Sequence, residues 1–320
     1  MNIFLAGATG VIGRQLVPRL AHAGHQVTAL TRSRKGAELI RGLGGRAIIG
    51  DVFNRERLID AVIATKPDVL IHQLTSLPEA IDPRKIQSEL AATNRVRTEG
   101  TRNLIDAATA AGVRRIVAQS FSPYYTPSHN PVATEVEELF IDPPSSLAET
   151  VQALKDLESA VLNTSGIEGM VLRYGYFYGE GTAYATDGSI TDMVVNRKFP
   201  IVGDGSGTFS FIYIDDAADA TILAVNSQKT GIFNITDNDP APISEWLPYY
   251  AELLNAPQPM RLPKFIGRIA AGRAAIFMMT EQRGASNDKA KRELGWQPTY
   301  SSWRQGFREV LRRKVHSNVA

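Results

Sequence analysis

Three glycines near the amino terminus, Gly7, Gly10 and Gly13, stand at the spacing GxxGxxG. They follow an apolar run, Asn2 to Ala6, that reads as a short buried strand. They precede an amphipathic run in which Leu16, Val17 and Leu20 share one side and Gly24 ends it. Strand, glycine turn and helix, in that order, are the setting in which a dinucleotide's pyrophosphate is held. Gly7 permits the tight turn, Gly10 lets the backbone approach the pyrophosphate, and Gly13 lets helix pack on strand. The helix start adds unpaired N–H groups and a partial positive charge. A merely structural turn is the bland alternative.

The end of the second strand, Gln26 to Leu30, bears on which dinucleotide is bound. NAD sites place an acidic residue about 20 residues past the glycines, on the ribose 2′-hydroxyl. Here Thr31 holds that place, and Arg32, Ser33, Arg34 and Lys35 follow. A carboxylate repels a 2′-phosphate, whereas a guanidinium grips one by a bidentate fork. NADP is therefore expected, with NAD as the alternative, and Arg32 and Arg34 as its candidate contacts. Asp51 and Val52 close a third strand, Ala47 to Gly50, where an adenine contact competes with an N-cap role for Asp51.

Other reactive types are sparse. The 320 residues include no cysteine, so disulfides, metal thiolates and a cysteine nucleophile are excluded. His72, in the strand Asp68 to His72, reads as a strand residue with a satisfied hydrogen bond, and no metal site is expected. A loop rich in aromatics and prolines runs from Phe121 to Pro131, where Tyr124, Tyr125 and His129 could line a pocket or simply pack the loop. Net charge is +2, which argues for neither nucleic acid nor a membrane surface as partner. No basic leader precedes the first strand, and no apolar run reaches the roughly 20 residues needed to span a bilayer. A cytoplasmic protein with a small-molecule substrate is the expectation.

The elements that must position these groups alternate. A helix is expected over Ala37–Leu43, a long one over Leu90–Ala111 ended by Gly112, a strand over Val113–Gln119, a helix over Ser146–Thr164 and a strand over Met170–Leu172. Alternation of this kind implies an α/β fold with a doubly wound parallel sheet, a Rossmann sheet. Residues 1–177 are assigned mainly to it, and residues 178–320 mainly to a smaller C-terminal substrate lobe, with about 209–240 returning to the sheet. Gly179–Gly188 and Gly203–Gly207 suggest a mobile lid or turns. Asp215 and Asp216 read as helix caps, and Gly231–Thr236 as a late strand. Met260–Thr280 reads as an apolar-basic helix, more a core helix than a membrane or partner face. A last helix, Trp303 to Val315, has a basic end at Arg312, Arg313 and Lys314.

Several stretches together carry a family resemblance: Gly7–Gly13, Asp68–His72, Glu99–Leu104, Leu172–Gly181, Phe211–Asp216 and Glu293–Pro298. The chain resembles extended short-chain dehydrogenases/reductases of the NAD(P)-dependent epimerase/dehydratase type, and Arg97–Leu104 with Val117–Ser120 resembles an atypical bacterial subgroup of them. The resemblance implies cofactor contacts from Gly7, Ala8, Thr9, Gly10, Val11, Ile12 and Gly13 in the turn. It further implies contacts from Gln73, Leu74, Ser120, Lys155 and Tyr174, and a homodimer formed through a helix pair. It also implies a catalytic set in which tyrosine is the acid/base, lysine holds the nicotinamide ribose, and serine orients the substrate. Ser120 matches the serine and Lys155 the lysine.

The chain departs from the family at two places. The tyrosine of YxxxK is Val151, and no other YxxxK occurs. Valine moves no proton, and a positioned acid/base contributes roughly 10²–10⁴-fold. Three routes stay open: another phenol serves, with Tyr124, Tyr125 and Tyr176 as candidates; the chemistry needs no donor there, as in reduction of an activated double bond; or the protein binds cofactor without turnover. Secondly, Phe209 stands where nucleotide-sugar enzymes carry a diphosphate-binding arginine, and Tyr176 replaces the usual asparagine. An aromatic cannot neutralise a diphosphate but packs a ring. A pocket lined by Tyr124, Tyr125, Tyr176, Phe177 and Phe209 would suit a small carbonyl or enone compound. The expected activity is NAD(P)-dependent hydride transfer to such a substrate. The alternatives are an epimerase or dehydratase that retains its cofactor, and a non-catalytic NAD(P)-sensing protein.

Overall fold

A computed structural model describes residues 1–317, with side chains to residue 312. Its centre is a seven-stranded sheet. From one edge the order is Gly231–Ile235, Glu168–Tyr174, β5 (Arg115–Phe121), β4 (Val69–His72), β1 (Asn2–Ala6), β2 (Gln26–Thr31) and β3 (Arg46–Ile49). Every pairing is parallel. The sheet is the Rossmann-type α/β architecture expected from the alternating pattern. β1 pairs with β2 on one side and β4 on the other, so the chain reverses direction across the sheet at β1. Ligands of open parallel sheets bind at this switch, outside the carboxyl ends of the strands. The glycine turn lies there.

The strands are apolar on both faces, as a sheet covered by helices requires. In β1 the period of two sends Ile3 and Leu5 into one core, and Phe4 and Ala6 into the core on the opposite face. The first core is closed by α1 (Val11–His22), through Leu16, Val17 and Leu20, and by the helix Ile214–Asn226. The second is closed by α3 (Arg55–Thr65), α5 (Thr101–Ala110) and α6 (Ser145–Leu162). A third cluster lies in the residues from 178 on. It is rich in rings, with Tyr178, Phe209, Phe211, Trp246, Tyr250, Trp303 and Phe307 packed together.

Several expected elements are longer or differently built. The helix before β5 is continuous from α4 (Ile86–Arg95) to α5, but its middle, Val96–Gly100, is a π-helical segment. The apolar-basic helix, Lys264–Thr280, is broken at Gly272, whose φ of 76° no α-helix accommodates. Its second half is core, through Ala274, Ile276 and Phe277, whereas Phe265 and Ile269 in the first half are exposed. Asp215 and Asp216 are not caps: Asp215 pairs with Arg19 at 3.2 Å, and buried Asp216 accepts the Tyr300 N–H at 3.4 Å. The stretch 179–188 is a run of hydrogen-bonded turns. The last helix spans Trp303–Ser317, and Arg313 and Lys314 lie outside the described side chains. Among the described residues no helix is long and apolar enough to cross a membrane, and no cluster of metal-ligating side chains occurs.

Candidate active site

The turn after β1 divides its three glycines into two kinds. Gly7 has φ 103°, and a Cβ there would lie 2.5 Å from the Gln73 carbonyl. A Cβ on Gly13 would lie 2.2 Å from the Gly7 oxygen. Both positions are closed by the protein's own backbone. Gly10 is different: its nearest neighbour would be 3.4 Å away, an ordinary contact, and the residue is exposed. Nothing within the chain demands glycine there, so the space above it is available to a ligand's phosphates. Gly10 is the N-cap of α1, without a capping side chain and without an acidic residue in the first turn. The first N–H groups of the helix, from Val11, Ile12 and Gly13, have no helical acceptor. Ala8 and Ile12 are buried beneath the turn, and the Thr9 carbonyl accepts from Arg14 Nε at 2.9 Å. This donor set fits a pyrophosphate.

At the end of β2, Thr31 is buried and its hydroxyl packs where a Cβ on Gly36 would fall. α2 (Arg34–Gly42) starts there, capped by Ser33, whose hydroxyl accepts the Gly36 N–H at 3.0 Å. Arg32 and Arg34 are exposed, and among the described residues no carboxylate pairs with either. Asp51 is exposed and accepts the Phe53 N–H at 3.0 Å, closing a turn; Asn54, not Asp51, caps α3. Val52 is buried, and its carbonyl accepts from Asn103 Nδ2 at 2.9 Å.

Past β4, the Leu74 N–H donates to His72 Nδ1 at 3.2 Å, which leaves the proton on Nε2, donated to Thr101 Oγ1 at 2.9 Å. Burial, with Arg97 nearby, pulls the His72 pKa down to about 4, so the ring is neutral at neutral pH. His72 is therefore a satisfied strand residue. Gln73 Nε2 donates to the Tyr174 hydroxyl at 3.2 Å, and that hydroxyl shares a 2.6 Å hydrogen bond with Thr221.

Three expected site residues face elsewhere. Tyr174 is wholly buried in the core under the helix Ile214–Asn226, with its hydroxyl spent on Thr221, so it presents nothing to a cofactor. Ser120 is sealed and donates to Glu158 Oε1 at 2.6 Å. Glu158 is itself held by Arg173 through two bonds of 2.8 and 2.6 Å. Tyr125 completes this buried network, accepting from Arg173 at 2.9 Å and donating to Asn234 at 2.7 Å. Ser120 and Tyr125 thus satisfy a buried ion pair, as such a pair requires. Lys155 is half-buried, and its Nζ donates to the Phe140 carbonyl at 3.1 Å.

The structure brings Tyr124 and Tyr176 together through Phe121. The Phe121 ring lies edge-on to both, with centroids 5.6 and 5.3 Å away. Tyr176 stacks on Phe209 at 4.6 Å and donates to Gln282 Oε1 at 2.9 Å. Tyr124 lies parallel to Phe277 at 6.4 Å. Burial raises the pKa of both phenols, so both stay protonated at neutral pH; Arg97 opposes the rise at Tyr124. Val151 is buried in the apolar cluster of Ile86, Leu90, Phe140, Leu154 and Phe277, against which Phe121 and Tyr124 pack. The vacated tyrosine position is thus an apolar surface beside a phenol. Phe177, on the opposite face of its strand, packs on Tyr174 at 5.3 Å and is not part of this wall.

Phe121, Phe277 and Gln282 were not legible as members of this wall. They come from distant segments, and only the paired strands Tyr176–Tyr178 and Phe211–Tyr213 and the broken helix bring them together. Arg97 was missed as well.

The family model described as "NAD dependent epimerase/dehydratase family" matches residues 3–236. The chain is 43% identical to the 3-diazoavenalumate denitrifying reductase of a Streptomyces species, across 96% of this chain and 99% of the relative. It is 27% identical to a 4-hydroxy-2-methyl-3-oxo-4-farnesyl-3,4-dihydroquinoline-1-oxide ketoreductase of Stigmatella aurantiaca, across 92% of each. Among solved structures, the UDP-glucose 4-epimerase of Thermus thermophilus in complex with NAD superposes with a TM-score of 0.74 at 22% identity, covering 98% of each chain. With its sheet, its glycine turn and these similarities, the chain belongs to the NAD-dependent epimerase/dehydratase family.

Proposed function

We propose that this protein is an NADP(H)-dependent reductase that delivers hydride to a small aromatic electrophile rather than to a nucleotide sugar. The observation that carries the reading is the pair Val151 and Phe209. The acid/base position is an apolar surface, and the position of a diphosphate-binding arginine is a buried ring stacked on Tyr176. The 43% identity to a reductase supports it.

Bound cofactor supplies the hydride. The amides of the turn and the start of α1 would hold its pyrophosphate, and Arg32, with Arg34 beside it, would hold the 2′-phosphate. Lys155, whose Nζ lies within 3.1 Å of the Phe140 carbonyl, would hold the nicotinamide ribose. Phe121, Tyr124 and Tyr176 form the face on which the substrate ring lies. Carbonyl reduction needs a proton at oxygen, and the Tyr124 phenol, protonated at neutral pH, is the donor. Hydride addition to a conjugated double bond leaves a delocalised anion that takes its proton from solvent. Hydride that displaces dinitrogen from an aryl diazonium cation gives the arene and dinitrogen and needs no proton, and the Streptomyces relative's name describes a denitrifying reduction of a diazo compound.

The test is NADPH consumption at 340 nm with aryl ketones, aryl enones and aryl diazonium compounds, beside a separate assay for epimerisation or dehydration of UDP-glucose. Consumption with the aromatic panel and no conversion of UDP-glucose is expected; conversion of UDP-glucose without consumption on the aromatic panel overturns the reading. Tyr124→Phe is expected to lower kcat by about 10²–10⁴-fold for ketones and by under about 10-fold for aryl diazonium compounds. Equal rates with every substrate would remove Tyr124 from the chemistry.

A further inference from the structure

Arg97 is a cation in an unusual place. It lies in the π-helical segment Val96–Gly100, and only 8% of it is exposed. Among the described residues no carboxylate lies within ion-pair distance of it, and its side chain makes no hydrogen bond. Among the described residues the other deeply buried arginines each have a carboxylate partner: Arg115 has Glu168 and two carbonyls, with only its Nε unpartnered, Arg173 has Glu158, and Arg283 has Glu137 and backbone carbonyls. The Arg97 nitrogens are not among the sealed, unpartnered polar atoms, so the guanidinium opens onto space that solvent reaches. Its charge acts on Tyr124 and on His72. Both groups sit at the carboxyl ends of neighbouring strands, β5 and β4, on the far side of the glycine turn from Arg32. A guanidinium this deeply buried without a counter-charge is costly, and π segments concentrate at functional sites. An anion arriving with a ligand supplies the missing partner.

We infer that Arg97 is the anchor for a carboxylate on the substrate, so that this site takes aromatic acids, their ring lying on Phe121 and Tyr124 and their carboxylate forked on the guanidinium. This rests on the proposed aromatic substrate site, and it adds the charge that the substrate carries. The cofactor's own phosphates already have the amides of α1 and Arg32, at the other end of the crevice.

The test is calorimetry on NADP-loaded protein with cinnamate and methyl cinnamate as probes. The wild type is expected to bind the acid about 10–100-fold more tightly than the ester, the range of a charge-assisted fork. Arg97→Gln is expected to abolish that preference while leaving NADPH affinity within about two-fold, and Arg97→Lys to keep part of it. Equal binding of acid and ester by the wild type, or no binding of either, overturns the inference. So does Arg97→Gln weakening NADPH instead, which would assign the guanidinium to the cofactor's phosphates. The result is separable from the reductase reading. Arg97-dependent binding of cinnamate without NADPH consumption on any substrate would sink the activity and keep the anion site. NADPH consumption indifferent to a carboxylate would do the reverse.

Discussion

Gly10→Ala and Gly13→Ala, made side by side, separate a turn built for the fold from one built for a ligand. The Cβ of Gly13→Ala would fall 2.2 Å from the Gly7 oxygen, so helix and strand must move apart. Overpacking of that kind costs about 1–3 kcal/mol or more, and this variant should melt several degrees lower whether or not cofactor is present. The Cβ of Gly10→Ala would meet its nearest atom at 3.4 Å, with φ at −74°, which alanine adopts freely. Its cost is that of a poorer N-cap, about 1 kcal/mol at most, or roughly 2 °C in a chain of this size. Cofactor affinity should respond the opposite way. The added methyl stands between the α1 amides and the pyrophosphate, and losing one hydrogen bond to a charged oxygen is worth about 1.5–3 kcal/mol. NADPH binding to Gly10→Ala should therefore weaken about 10–100-fold while the apo melting temperature barely moves. Differential scanning fluorimetry and a fluorescence titration with NADPH measure both quantities. Unchanged NADPH affinity in a folded Gly10→Ala protein would refute the reasoning.

Arg32→Ala should weaken NADPH about ten-fold or more and leave NADH unchanged, since only the 2′-phosphate is lost as a partner; paired titrations decide, and equal losses would remove the charge argument. Ser120→Ala should keep kcat within about three-fold and lower the melting temperature, because the hydroxyl serves the buried Glu158 carboxylate at 2.6 Å. A collapse of kcat at unchanged melting temperature would return Ser120 to the chemistry. His72 gives a pH signature. Its folded pKa, about 4, lies below the ordinary 6.5, so the unfolded chain binds the extra proton first. Its stability contribution is complete above pH 6.5 and falls away as pH drops towards 4, by on the order of 3 kcal/mol. Urea unfolding of wild type and His72→Gln across that range should show this component of the slope only in the wild type.

The legible part of the molecule was local. Strand, glycine turn and helix lie within the first 22 residues, and each is dictated by its own composition. The alternation of strands and helices then fixed a parallel sheet, because parallel neighbours need crossovers. What the sequence hid was the facing of side chains at strand ends. Tyr174 and Tyr176 flank Gly175, and one enters the core while the other joins the wall, because a new short strand begins between them. Ser120 and Tyr125 turn towards the Arg173–Glu158 pair, a partnership between β5, α6 and the strand Glu168–Tyr174 that no spacing announces. Arg97 was obscured by its π segment: one extra residue per turn rotates a side chain by about 100° from where a helical period puts it. Val151 and Phe209 needed no structure to be noticed, but their meaning did, since each proved to be part of a packed apolar surface.

Net hydride transfer is tested most directly by a single turnover with NADPH deuterated at the reactive C4 position and an aryl enone acid as acceptor. One NADPH consumed per product, with deuterium bound to a product carbon, is the predicted result. Product formed with no net loss of NADPH and no label in it would mean a retained cofactor, and would contradict the assignment as a reductase.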